Sequence, residues 1–194
     1  MMRGWRLVVA AIVLSLVQIG FLGWMITGRA AILRGGAEVL LKVEPVDPRD
    51  LLRGDYVSLS YEITNIPTSI VTNVREGASV TEAGPIFVRL HKEPDGFWRA
   101  VSASLDVPAS APPEPGEADI RGEVISGRPL EAGGSVRAHY GIERFYLPEG
   151  TGRAIENDMR VRPFAMRVAI AKDGTAQIRA LVDEGKTLFE EPLY

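Results

Sequence analysis

The chain has 194 residues, 46% of them hydrophobic, no cysteine and a formal net charge of −3. No disulfide can staple it, and its apolar content argues against disorder, so it folds on its own core. The first 34 residues hold four arginines (Arg3, Arg6, Arg29, Arg34) and no acid, leaving 18 of the 22 basic residues against all 25 acidic ones, a net of −7 that is a poor match for nucleic acid.

Leu7 to Ile26 is a run of 20 residues interrupted only by the polar Ser15 and Gln18. At 1.5 Å rise per residue it matches a hydrocarbon core of about 30 Å. Trp5 and Trp24 lie near its ends, where indoles favour the interface. A cleaved leader would have a shorter apolar stretch and small residues at the cut; here Arg29 stands in the way. The expectation is an uncleaved single-pass signal anchor over residues 1–34 and a β-rich domain over 35–194. The short N-terminus before a single span leads to the expectation of an extracytoplasmic domain; the positive-inside bias is only about one charge, so a cytoplasmic domain of opposite orientation is the alternative.

Beyond the anchor, hydrophobicity alternates with period two. Val39, Leu41 and Val43 mark a first strand. In Tyr56 to Ile63, the residues Val57, Leu59, Tyr61 and Ile63 share one face. Ile86, Val88 and Leu90 lead through Glu93-Pro94-Asp95-Gly96 to Phe97–Leu105, a hairpin. Residues 108–117 carry four prolines and must be a surface loop, since proline cannot donate to a ladder. Ile120 to Ile125 and Ser135 to Tyr140 are shorter strands. Arg153 to Arg160 is the one helical stretch past the anchor. Phe164, Met166, Val168 and Ile170 share a face of another strand. It turns at Lys172-Asp173-Gly174 into Thr175–Val182, and Asp183 to Lys186 turns again before Thr187–Phe189. Residues 65 to 84 are weakly patterned and take no assignment. Short strands with Asp-Gly turns predict a mainly β fold, an antiparallel sandwich or barrel-like domain behind one N-terminal transmembrane helix.

Gly54-Asp55-Tyr56-Val57-Ser58-Leu59-Ser60-Tyr61 reads as a turn that launches a half-buried strand. Gly54, Leu59 and Tyr61 have structural roles in that reading; Asp55 and Tyr56 are left for contact. The eight residues fit the GDYxxLxY pattern at every fixed position. A second block, Tyr140-Gly141-Ile142-Glu143-Arg144-Phe145-Tyr146-Leu147-Pro148-Glu149-Gly150, followed by Gly152 and Glu156, looks like the second characteristic stretch of the same family. The chain therefore resembles, over essentially its whole length, the GDYxxLxY family of bacterial membrane-anchored proteins. Their genes often lie beside those of polytopic membrane proteins, so the resemblance implies a membrane partner and no particular chemistry.

Glu143, Glu149 and Glu156 are three carboxylates within 14 residues. Opposed carboxyls about 5–9 Å apart serve glycoside hydrolysis, so an envelope enzyme or ligand binder using Glu143, Glu149 or Asp55 is the competing expectation. The bland reading pairs these acids with Arg144, Arg153 and Arg160. The stretch Asp47 to Val57 resembles the nucleophile box of signal peptidases, but its serine position falls near Pro45, so no attack follows. His91 and His139 have no metal-ligand spacing, and no cofactor motif is found. The leading expectation is a non-enzymatic interaction module with Asp55, Tyr56, Tyr140, Glu143, Arg144, Glu149 and Glu156 as its candidate surface.

Overall fold

The computed structural model describes residues 2–44, 56–73, 84–125, 134–147, 155, 158 and 163–192. An uninterrupted helix, α1 (Met2–Gly35), opens the chain. Its 34 residues span about 50 Å, more than a bilayer core requires. Residues 5–29 are all exposed, and burial begins at Ala30 and Leu33, where α1 meets the sheet that follows. The helix ends at Gly36, whose amide bonds to the Ile32 carbonyl at 2.8 Å. A Cβ at Gly36 would come within 2.7 Å of that carbonyl oxygen and 2.9 Å of the Ile170 carbonyl, so helix and sheet touch backbone to backbone there.

Among the described residues, twelve strands follow. They are β1 (Ala37–Glu44), β2 (Tyr56–Ser58), β3 (Ser60–Tyr61), β4 (Asn65–Pro67), β5 (Pro85–Lys92), β6 (Trp98–Leu105), β7 (Glu117–Val124), β8 (Ser135–His139), β9 (Arg144–Tyr146), β10 (Phe164–Ile170), β11 (Ala176–Asp183) and β12 (Lys186–Glu190). They form one sheet of order β12-β11-β10-β1-β3, a second of order β4-β8-β7-β5-β6, and a ribbon of β2 with β9. All their pairings are antiparallel. One core joins the inward residues of both large sheets: Val39, Leu41, Met166, Val168 and Leu181 from the first, Ile86, Val88, Leu90 and Ile120 from the second. Such side chains contribute about 1.5–3 kcal/mol each on burial. The sheets keep open edges, so the arrangement is a sandwich and not a closed barrel.

The two Asp-Gly hairpins use one local solution. Asp95 accepts from the Phe97 amide and Asp173 from the Thr175 amide, both at 3.0 Å, and Gly96 and Gly174 follow with φ of +88° and +85°. The second turn also reaches across the sandwich, where the Arg121 amide of β7 donates to the Gly174 carbonyl at 2.9 Å. Glu184 and Gly185, at φ +46° and +81°, form the two-residue turn of the β11–β12 hairpin.

Residues 65 to 73, unassigned from sequence, supply β4, a 3-10 turn at Thr68–Ile70 and an edge cover for β6. Thr72 donates its amide to the Ala103 carbonyl, and Asn73 imitates a strand: Nδ2 donates to the Leu105 carbonyl at 2.7 Å and Oδ1 accepts from the Leu105 amide at 2.9 Å. Pro67 sits on edge strand β4, where its missing N–H costs no ladder bond. The expected strand over Tyr56 to Ile63 is broken at Leu59 and ends in a 3-10 turn at Glu62–Thr64. Its apolar face survives the break: Val57, Leu59, Tyr61 and Ile63 are all buried. Of the expected helix at 153–160, Ile155 and Asp158 are helical, with Ile155 buried; the rest lies outside the described residues.

Candidate functional site

The two sequence blocks meet. Strand β2 of the first pairs with β9 of the second, in the register Tyr56↔Tyr146, Val57↔Phe145 and Ser58↔Arg144. The Leu59 amide continues the contact by donating to the Glu143 carbonyl at 2.8 Å. Alternation then divides the ribbon. Val57 and Phe145 point into the core, while Ser58, Arg144 and Tyr146 are exposed, Tyr146 to 68%.

Two buried tyrosines lock this junction in opposite directions. The Tyr61 hydroxyl donates to the Ile142 carbonyl at 2.7 Å, and the Tyr140 hydroxyl donates to the Ile63 carbonyl at 2.7 Å. Tyr61 crosses from the first block to the backbone of the second, and Tyr140 crosses from the second to the 3-10 turn just past the first, so each satisfies a carbonyl where the chain is irregular. Burial, reinforced by the nearby Glu143 carboxylate, pushes both phenols well above their ordinary range. Neither is a proton donor or base near neutral pH.

Glu143 braces the turn between β8 and β9. Its Oε1 accepts from the Tyr140 amide at 2.5 Å, across the turn where Gly141 takes φ +79°. Its Oε2 lies 3.1 Å from His139 Nε2, an ion-pair distance without hydrogen-bond geometry, and is otherwise buried without a hydrogen-bond partner. Gly122 of β7 makes room for the arrangement: a Cβ there would come within 2.8 Å of both the His139 carbonyl oxygen and the Tyr140 ring.

These positions sort the sequence-derived candidates. Leu59 and Tyr61 are core residues, as their alternation indicates. Tyr140, expected on a contact surface, is a core residue instead, because its hydroxyl has a buried carbonyl to satisfy. Glu143 is mostly covered and serves its own turn, whereas Arg144 is exposed. The backbone of Tyr56 lies on the ribbon. Gly54, Asp55, Glu149 and Glu156 lie outside the described residues. Sequence reasoning missed three participants: exposed Tyr146, the Ile142 main-chain carbonyl, and His139, an exposed histidine whose Nε2 faces Glu143. The i, i+4 spacing of His139 and Glu143 was the available signal for the last.

Comparison with curated proteins and with solved structures found no match to this chain. A family model described as GDYXXLXY protein matches residues 18–181, from the middle of α1 to β11, and takes in both blocks of the junction. The chain belongs to the GDYXXLXY family.

Proposed function

We propose that this protein is a membrane-anchored accessory module of the bacterial envelope, with α1 in the inner membrane, the sandwich on the extracytoplasmic side, and a polytopic membrane protein as partner. The observation that carries the reading is the continuity of α1. The helix runs from a fully exposed apolar stretch into the sandwich without a flexible tether, and Ala30 and Leu33 are buried at the join. A domain held so close to the bilayer is placed to act on something in the bilayer. The family resemblance adds the partner class.

The junction of the two blocks supports a binding role over a catalytic one. Its tyrosines are spent on carbonyls, and Glu143 is spent on its own turn. What the junction offers outward is the strip of Ser58, Arg144 and Tyr146, an aromatic and a cation on a rigid ribbon, residue types enriched at protein interfaces. Co-purification from mild detergent tests the reading. The intact chain should bring down a polytopic membrane protein, and a chain whose span is replaced by an unrelated transmembrane helix should bring down less. Recovery of no membrane protein by the intact chain contradicts it.

A further inference from the structure

A cavity of about 890 Å³ opens where α1 approaches the start of β11. That is within the usual range of small-molecule sites. The helix contributes Trp24, Met25 and Ile26, the end of the apolar run, and then Arg29 one turn on. The domain contributes two hydrogen-bonding side chains, Thr175 and Gln177. Polarity therefore rises along the helix from span to domain, in the order that a bilayer rises from hydrocarbon to headgroup.

Depth fits as well. If the hydrocarbon ends near Ile26, Arg29 stands about 4.5 Å beyond it, at phosphate level. Arg29 is exposed and makes no ion pair with the described residues. The adjoining hairpin turn carries one exposed charge of each sign, Lys172 and Asp173, so Arg29 sets the local balance. We propose that this groove holds one anionic phospholipid of the surrounding bilayer. Its phosphate pairs with Arg29, its polar linkage meets Thr175 and Gln177, and an acyl chain runs along Met25 and Ile26. A partner's apolar helix would lay hydrocarbon against Gln177 and Arg29 and leave them without hydrogen bonds, a cost that a lipid headgroup avoids. The net-negative domain does not attract such a lipid; Arg29 and Arg34 at the domain end of α1 do.

The proposal rests on α1 crossing the bilayer, which resistance of the chain to alkaline carbonate extraction checks separately. The test is native mass spectrometry of the full chain in micelles holding equal amounts of phosphatidylglycerol and phosphatidylcholine with the same acyl chains. One phosphatidylglycerol should remain bound in preference to phosphatidylcholine. Arg29→Gln should lower its retention about tenfold. Gly28→Leu should do so with no change of charge, because Gly28 lines the groove and a Cβ there meets nothing within 4 Å. Arg6→Gln, at the far end of the helix, should change nothing. Equal retention of the two lipids, an equal loss with Arg6→Gln, no loss with either groove variant, or a protein helix found in the groove would each overturn the proposal.

Discussion

The Tyr61 hydroxyl donates at 2.7 Å to the carbonyl of Ile142, a residue 81 positions further along the chain. Tyr140 returns the contact to Ile63 over 77 positions. The last tyrosine of the signature and the first of the second block are thus two halves of one clasp, and the chain between them carries all five strands of the second sheet.

Removing either hydroxyl should be costly, because the carbonyl it serves stays buried. Tyr61→Phe and Tyr140→Phe should each destabilise by about 1–3 kcal/mol. The double variant should cost less than the sum, since both bonds hold the same join. Thermal unfolding of the full chain in detergent, followed by near-ultraviolet circular dichroism, measures this; strict additivity would mean that the two bonds act independently.

The same tyrosines set the alkaline limit. Their folded-state pKa values are raised, so their contribution is complete below the unfolded value of about 10 and is lost as pH rises beyond it. Stability should fall by about 1.4 kcal/mol per pH unit for each tyrosine, and Tyr61→Phe should halve the slope. Asp173 and Asp95 are shifted the other way, Asp173 by the Thr175 amide and Asp95 by Arg99. Their contribution is present above about pH 4 and is lost as pH falls through their lowered values. Both are exposed, so the acid limb should be the shallower one. Unfolding midpoints across pH 3 to 12 test both limbs.

Two glycines at the junction should respond for different reasons. Gly122→Ala places a methyl against the His139 carbonyl, which is backbone and cannot move aside, at a cost of about 1–3 kcal/mol. Gly141→Ala has open space but must hold φ +79°, a cost of about 1 kcal/mol. Relaxing the turn with Gly141→Asn, which tolerates that conformation, should recover most of the second loss, and nothing comparable should rescue the first.

Leu33 anchors the helix to the sandwich. Truncation to alanine removes a fully buried side chain and should weaken the join by about 2–4 kcal/mol. Trypsin should then cut faster after Arg34 while the melting of the sandwich changes less. Equal cleavage rates in the two proteins would show that the join is not held by this contact.

Much of the sandwich was legible because alternation is a strong signal wherever one face meets a core. Ile86, Val88 and Leu90 follow it without exception, and the Asp-Gly turns fall where glycine takes positive φ. Strand β10 was legible on one face only: alternation marks Phe164, Met166, Val168 and Ile170, but Ala165 and Ala169 on the other face are buried as well, and residues this small carry little apolar signal. The break at Leu59 was hidden for a related reason. All four residues from Val57 to Ile63 on the apolar face remain buried, but the backbone leaves one partner for another, and side-chain pattern does not record hydrogen-bond partners. Of the site, the identity of the blocks was readable and their meeting was not. That meeting depends on the register of β2 with β9 and on two hydroxyl-to-carbonyl bonds across about eighty residues.

Site-specific photocrosslinking in growing cells, from a photoreactive residue in place of exposed Tyr146, is the most direct measurement of the proposed role. A single dominant adduct with a polytopic membrane protein is expected, and it should vanish when the domain is released from α1. Absence of any membrane-protein adduct, or the same adduct from the released domain, would contradict a module that works by being held against its partner at the membrane.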